Sequence, residues 1–356
     1  MPRLIIERRF KTPFILSIVF PLLSIVLALL TSSLLLLALN VSPLGALKGM
    51  INGALGSWYG ISEVLVKAIP LVICGIAVAL AFTMKVWNIG AEGQIYLGAL
   101  ASAAAVRYFP VENTFFMLSV MAVMAILAGA FWGGIAGYLK GRWNVNEIIT
   151  TLMLNYVAIH LVDYFVYGPW RDPSSLGFPM TAPFPDFARL PTFGGTRVHA
   201  WIFLALIIVI LYRVVIRWTR WGFEIRAIGE NQRAALYAGI PYIKNVVLVM
   251  AVSGALSALA GMGEIAGLQG RLQHGFSPGY GYTAIIVAWL ARLNPWGTVL
   301  VSIFMGIIMV GGETLQVIMR LPLASVQVIQ GLILLFVLAS EFFRNYKIRI
   351  LSGDGR

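Results

Sequence analysis

Three consecutive runs decide the fold: apolar Leu71–Phe82 (LVICGIAVALAF), polar Trp87–Gln94 (WNIGAEGQ) and apolar Ile95–Val106 (IYLGALASAAAV). A helix that crosses the hydrocarbon core of a bilayer needs about 20 largely apolar residues. Apolar runs separated by glycines and polar residues, with hardly any soluble loop between them, are typical of membrane helices that break at depth. The stretch therefore predicts a helical membrane protein.

The composition of the whole chain supports this prediction. The 356 residues are 60% hydrophobic and only 11% charged, whereas soluble domains are about 25% charged. A water-soluble fold could not hide so much apolar surface. We predict an all-α, polytopic membrane protein, one domain over 1–356, with about ten transmembrane helices in two pseudo-symmetric halves. The candidate spans are 14–39, 64–84, 92–108, 115–139, 148–167, 200–218, 244–268, 282–292, 297–312 and 325–343.

The distribution of charge predicts the orientation. The chain has 26 Lys and Arg residues against 14 Asp and Glu residues, a formal net charge of +12. The basic residues lie between apolar runs, which favours membrane orientation over nucleic-acid binding. If the N- and C-termini are both cytoplasmic, most basic residues fall in cytoplasmic segments, as the positive-inside rule requires. We therefore expect cytoplasmic termini and no nucleic-acid partner.

The polar run Trp87–Gln94 is the first candidate site. Asn88, Glu92 and Gln94 would be costly against lipid, and broken helices near the middle of the membrane often build transport sites. The alternative is a tight cytoplasmic turn in which Glu92 is solvated. Glu264, in the seventh predicted span, either lines the same pathway or is hydrated near the outer surface.

A second glycine-rich break, Gly275–Tyr282, precedes the short eighth span. Two interrupted segments in the two halves indicate a pseudo-symmetric transporter with a central site. In the fifth span, Asn155 and Asp163 are about 80° apart around the helix and could share a face. Asn155 is predicted to line the substrate pathway, and His160 to be a packed or interfacial histidine.

The fourth span carries glycines at four-residue spacing: Gly129, Gly133, Gly137 and Gly141. They form one stripe along a helix, which lets another helix approach closely. The stripe predicts helix packing rather than a binding site.

Two long polar loops are also informative. Residues 168–199, rich in Pro, Asp, Ser and Thr, are predicted to be extracytoplasmic, either capping the outer mouth or serving as a passive connector. Residues 219–243 form the most basic cytoplasmic loop. Within it, Phe223–Ile240 predicts a short helix–turn–helix that stops at Gly239 and Pro241. This element either docks into a groove on a soluble partner or is a solvated loop.

Several catalytic motifs are absent from the sequence. There is no Gly-Lys dipeptide, which excludes a phosphate-binding loop of the Walker type, and His-Glu-x-x-His does not occur. The single cysteine, Cys74, has no partners at metal-ligand spacing. We predict no catalytic residue, no metal site and no cofactor on this chain, so any ATP-hydrolysing site belongs to another chain.

The motifs together resemble a known family. Asn88–Gln94 (NIGAEGQ) and Arg226–Asn231 (RAIGEN), continuing through Ala238–Ile240, are similar to segments of permeases in nucleoside-type ABC importers. These permeases belong to the larger group that includes branched-chain amino acid and ribose permeases. Thr151–Tyr156 (TLMLNY) and Ile286–Ala291 with Asn294-Pro295 support the resemblance, which covers about residues 60–340.

The resemblance implies partners and a location. In this family, two permease subunits, often non-identical, pair in the membrane, and separate ATPase subunits bind ATP and Mg. An extracytoplasmic binding lipoprotein or periplasmic protein delivers the solute. By resemblance, 219–243 is a cytoplasmic coupling loop, and its coupling residues are Arg226, Gly229, Glu230, Asn231, Ala235 and Gly239. The implied location is the plasma (inner) membrane of a bacterium.

The resemblance has departures. Trp289 and Ala291 stand where a smaller or aliphatic residue and a glycine are expected, which changes the shape expected of the cavity. Purine nucleosides are the first expectation for the solute, with a related purine or a sugar-like solute open. The alternatives are an ion-coupled secondary transporter of small polar solutes, with Glu92 and Glu264 as coupling carboxylates, and a membrane-embedded enzyme, for which no paired catalytic groups are found.

Overall fold

The computed structural model describes residues 3–8 and 14–351, and its body is helical. The first seven helices are α1 (Phe14–Ala38), α2 (Pro43–Leu55), α3 (Trp58–Thr83), α4 (Ala91–Tyr108), α5 (Thr114–Trp143), α6 (Glu147–Tyr167) and α7 (Trp201–Trp218). The others are α8 (Arg220–Glu230), α9 (Gln232–Tyr237), α10 (Tyr242–Glu264), α11 (Tyr280–Leu290), α12 (Pro295–Ile318) and α13 (Leu323–Asn345). A short 3-10 turn covers Asp186–Ala188, and a π-helical turn, Ile265–Gln269, extends α10.

The body of the chain confirms the predicted helical class, but the ends add one sheet. Strands β1 (Arg3–Arg8) and β2 (Tyr346–Leu351) pair antiparallel, with Ile6 opposite Ile348. Neither strand is among the elements predicted above, although apolar and charged residues alternate along β2 as they do in strands. Residues 1–2, 9–13 and 352–356 lie outside the described residues, and the cytoplasmic placement of the two termini stays a prediction.

Each predicted span coincides with a helix, but the number of membrane crossings is a separate question. Within residues 14–351, six helices are long and apolar enough to cross a membrane, or seven if Val26–Ala38 and Pro43–Leu55, which meet at 114°, form one broken span. Helix α11 has only 11 residues, about 16 Å, against a hydrocarbon core of about 30 Å. The count of ten crossings stays a prediction.

The described chain groups into two compact units, 1–61 with 307–356, and 62–306. In the first unit α1 packs against α13 and α2. The second unit contains the predicted pathway and coupling residues. These units do not follow a division into N- and C-terminal halves, and the pseudo-symmetry of the halves stays a prediction.

The glycine stripe of α5 positions the core of the second unit. Gly129, Gly133 and Gly137 are buried against α10. A Cβ atom at Gly133 would collide with the carbonyl oxygen of Met250, so the two helices touch backbone to backbone. The prediction of a packing stripe is confirmed. Helix α4 packs against α5, α6 and α10, which brings the predicted break beside this core.

Candidate functional site

The polar run between α3 and α4 is a buried junction in the structure. The backbone turns after Thr83, with Lys85 in the left-handed region at φ +58°. The Asn88 side chain accepts a hydrogen bond from the Gly90 amide (2.9 Å) and donates one to Ser253 Oγ of α10 (2.8 Å). Asn88 Nδ2 also donates to Gln94 Oε1 (3.1 Å), and both side chains are buried. These side-chain hydrogen bonds take the place of backbone hydrogen bonds that are lost where the helix breaks.

Asn155 of α6 fastens the same junction from the other side. Its Oδ1 accepts a hydrogen bond from the Gly93 amide at 2.8 Å, and its Nδ2 donates to the Ile89 carbonyl oxygen at 2.9 Å and to the Tyr282 hydroxyl at 3.3 Å. Its exposed fraction is 0%. All the polar atoms of this amide therefore have protein partners, as a buried amide requires.

Glu92 links the two predicted breaks. Its Oε2 accepts a hydrogen bond from the Gly281 amide at 2.7 Å, in the first turn of α11. A Cβ atom at Gly281 would collide with the Glu92 backbone, so this approach requires glycine. A carboxylate at the first turn of a helix also meets the positive end of the helix dipole. The structure therefore brings Trp87–Gln94 and Gly275–Tyr282 into contact.

The five predicted pathway residues are thus not in one place. Asn88, Glu92, Gln94 and Asn155 belong to this junction, whereas Glu264 is buried at the C-terminal end of α10. Glu264 is eleven residues beyond Ser253, roughly 16 Å along the helix axis. The junction's amides bond one another, the backbone and Tyr282, which suits them to shaping the break. Their contact with a solute stays a prediction.

The predicted helix–turn–helix is present as α8 and α9. Asn231 begins α9, and its Oδ1 accepts hydrogen bonds from the Arg233 amide (3.0 Å) and the Ala234 amide (3.2 Å). The chain leaves α9 through Gly239 at φ +77°, a conformation that glycine adopts without strain. Pro241 then precedes α10, so the predicted stop signals lie where the helix ends.

The two short helices have one buried and one exposed face. The buried face of α8 includes Ile225, Ile228 and Gly229, and Ala235 is buried in α9. The exposed face carries charged side chains together with large apolar ones, among them Tyr237, which is 94% exposed. The exposed residues of the two helices include Phe223, Arg226, Glu230, Asn231, Leu236 and Tyr237.

Helix α8 is fixed to the end of α3. A Cβ atom at Gly229 would collide with the carbonyl oxygen of Thr83, the last residue of α3. Asn245 of α10 holds α8 from the other side, donating to Glu224 Oε2 (3.0 Å) and accepting from Trp221 Nε1 (2.9 Å). The segment predicted to couple is therefore packed directly against the residue that precedes the break.

The 168–199 loop lies across the far end of α10. Backbone hydrogen bonds join Thr181 to Leu272 (2.9 Å), Phe184 to Gly270 (2.7 Å) and Leu190 to Ala266 (2.9 Å). His199 at its end is buried against Gly267, and this burial lowers the pKa of His199 to about 4. The 168–199 loop is therefore held by hydrogen bonds against residues 266–272, at the C-terminal end of α10.

Sequence reasoning did not assemble two further groups of residues. Trp87 packs against Phe82 and Trp289, with ring centroids 4.8 and 5.7 Å away. Near the C-terminal end of α6, Asp163 Oδ1 lies 2.6 Å from His274 Nδ1. Trp289 had been noted only as a departure from the family pattern, and no spacing rule connects residues 163 and 274.

His160, expected to be packed or interfacial, is not packed within the described structure, because its side chain is 78% exposed. Asn155 and Asp163, which could share a face of α6 by their spacing, have different partners in the structure. The former points into the junction, and the latter meets His274 near the end of α6.

Comparison with known proteins places the chain among permeases. A family described as branched-chain amino acid transport system, permease component, matches residues 60–338. The glucose ABC transporter permease protein TsgB13 of Haloferax volcanii is 40% identical over 93% of this chain and 89% of its own length.

Two relatives carry nucleoside names. The guanosine ABC transporter permease protein NupP of Bacillus subtilis is 31% identical over 94% of this chain and 95% of its own. The nucleoside ABC transporter permease protein NupB of Lactococcus lactis is 26% identical over 90% of each chain.

Proposed function

Because this chain belongs to the family of permease components of branched-chain amino acid transport systems, we propose that it forms the solute pathway of an ATP-driven importer. It is a multi-pass membrane protein and an ABC transporter permease. In the proposal, residues 1–356 act as one transmembrane domain in the plasma membrane, with 219–243 cytoplasmic and 168–199 on the opposite side.

The pairing of α8–α9 with the end of α3 is the observation that carries the proposal. One face of this element is buried in the second unit, and the other exposes Phe223, Leu236 and Tyr237 beside charged residues. Exposed large apolar side chains on a fixed element are typical of a protein-docking surface. We assign this face to the ATPase subunit that binds ATP and Mg.

The same packing supplies a route for coupling. Gly229 touches Thr83, and Trp87, which begins the polar run of the break, is four residues further along the chain. A displacement of α8 by the ATPase would therefore press on the end of α3 and move the junction. Packed interfaces of this kind shift between discrete arrangements rather than deforming continuously. Alternating access follows if the junction opens toward one side in each arrangement.

The remaining partners follow from the importer assignment. A second permease subunit, non-identical to this one, would complete the pathway, and a binding lipoprotein or periplasmic protein would deliver the solute. The 168–199 loop suits that delivery, since its hydrogen bonds to 266–272 hold it as a defined surface.

For the solute, we propose a purine nucleoside. The relatives NupP and NupB are named for guanosine and nucleosides, and both match about nine-tenths of this chain or more. A hexose is the second candidate, favoured by the 40% identity to the glucose permease TsgB13. Both candidates are rings with hydroxyl groups, and the assay must include both.

The test is uptake into proteoliposomes that contain the complete complex with its binding protein. We expect ATP-dependent uptake of labelled guanosine or, under the second candidate, of glucose. Glu230→Ala should lower uptake about tenfold or more while ATP hydrolysis continues. Glu112→Ala, which changes another exposed acidic residue, should change neither. Uptake driven by a proton or sodium gradient without ATP would instead establish the ion-coupled alternative.

A further inference from the structure

Helix α6 is long and apolar enough to cross a membrane, yet one of its exposed faces is polar and aromatic. Tyr156, His160, Asp163 and Tyr167 follow one another at intervals of three and four residues, so they share a face of the helix. The tyrosines are about half exposed, and the His160 side chain is 78% exposed. We call this set the α6 face.

Lipid is a poor environment for the α6 face. His160 lies seven residues before the end of a 21-residue helix, about 10 Å from that end and within the outer third of the span. An imidazole or a carboxylate in hydrocarbon is strongly unfavourable unless it faces water or protein. Helix α7 of the same unit shows the contrasting pattern. Its exposed positions between 201 and 216 are all apolar: Phe203, Leu206, Ile207, Ile210 and Leu211.

The α6 face continues onto α11. The hydroxyl of the exposed Tyr282 is 3.3 Å from Asn155 Nδ2 on α6, which places Tyr282 beside Tyr156. Trp289, two helical turns further along α11, is 45% exposed and packs against Trp87. The exposed surface thus runs from the α6 face to an aromatic group beside the break.

The C-terminal end of the α6 face contacts His274, in the segment that is hydrogen-bonded to the 168–199 loop. Asp163 Oδ1 contacts His274 Nδ1 at 2.6 Å, and its other oxygen lies 3.9 Å from His160 Nδ1. The ring of Tyr167 lies 5.6 Å from that of His274. A carboxylate, two imidazoles and a phenol therefore meet where the solute would enter from the binding protein.

We propose that the α6 face, together with Tyr282 and Trp289, is the wall along which the solute moves. This inference rests on the proposed function and replaces the buried amides of the junction as the solute contacts. The chemistry fits a ring that has a flat apolar surface and hydroxyl groups, as nucleosides and pyranoses do. Aromatic side chains stack on such rings. Asp163 and the two histidines beside it can accept hydrogen bonds from hydroxyl groups and donate hydrogen bonds to them.

Cysteine modification in the intact complex tests the proposal. In a Cys74→Ala background, we would introduce Tyr156→Cys and His160→Cys, with Ile210→Cys on α7 as the matched control. A membrane-impermeant cationic methanethiosulfonate should modify residues 156 and 160, and saturating guanosine or glucose should slow that modification at least about fivefold. Residue 210 should stay unmodified.

The other outcomes overturn the inference. Unreactive cysteines at 156 and 160 would mean that lipid or protein covers the face, and reactive cysteines without protection would mean a watery surface that the solute does not touch. The proposed function is judged separately, by whether the unmodified complex imports either solute.

A second pair of variants avoids the need for chemical labelling. Trp289→Leu should raise the KM for uptake about tenfold, because it removes the stacking surface, and Trp289→Phe should restore most of the affinity. An unchanged KM in a folded Trp289→Leu complex would remove Trp289 from the wall.

Discussion

Replacing Asn155 by leucine tests whether the buried amides build the junction. Leucine has the same γ-branched arrangement of heavy atoms but removes the acceptor for the Gly93 amide and the donor to the Ile89 carbonyl oxygen. Both backbone groups would stay buried without a partner, at about 1–3 kcal/mol each. We expect the free energy of unfolding to fall by about 2–5 kcal/mol, and the apparent unfolding temperature in detergent by roughly 10 °C.

The matched control is Asn113→Ala. Asn113 also accepts a backbone hydrogen bond, from Phe116 at 3.2 Å, but at the exposed start of α5. Water can replace that bond, so the loss should be about 1 kcal/mol. Thermal unfolding followed by intrinsic fluorescence or size exclusion gives both values. If Asn155→Leu is as mild as Asn113→Ala but raises the KM for uptake, Asn155 contacts the solute and the structural role assigned here is wrong.

Three further predictions concern packing, coupling and pH. Gly133→Ala should lower the free energy of unfolding by about 1–3 kcal/mol, because the new Cβ meets the Met250 carbonyl oxygen. Gly134→Ala, whose Cβ has its nearest neighbour at 3.9 Å, should be nearly neutral in thermal unfolding. Equal effects of the two substitutions would contradict the close α5–α10 contact. Gly229→Ala should displace α8 from Thr83 and lower uptake while ATP hydrolysis continues, and uptake at the wild-type level would refute that route. Burial lowers the pKa of His199 from 6.5 to about 4, so between these pH values the folded chain binds fewer protons at this residue than the unfolded chain does. The free energy of unfolding should therefore fall by about 3 kcal/mol as the pH drops from 6.5 to 4. His199→Leu should flatten this pH dependence, and an unchanged pH profile in that variant would contradict the prediction.

The sequence predicted those features that depend on local pattern. Apolar runs of sufficient length gave helices at the predicted positions, and the stop signals at Gly239 and Pro241 marked the end of the helix–turn–helix. The stripe of glycines in α5 predicted a close helix contact, although not that α10 is the partner.

The site was less predictable because its geometry depends on contacts distant in sequence. Asn155 was placed on the pathway by its type and depth, but periodicity cannot say that its amide points at Gly93 and Ile89. The contact of Asp163 with His274 joins residues 111 positions apart. Spacing rules describe one helix at a time, so such pairs need the tertiary structure.

The most direct test of the account is a photo-crosslink from position 237. Tyr237 is the most exposed aromatic residue on α8–α9, and a photoreactive phenylalanine there should form an adduct with the ATPase subunit in native membranes. The adduct should form from the cytoplasmic side, and its yield should change when ATP is bound. A complete complex that imports its solute but gives no adduct, or a residue 237 labelled from outside the cell, would contradict the account.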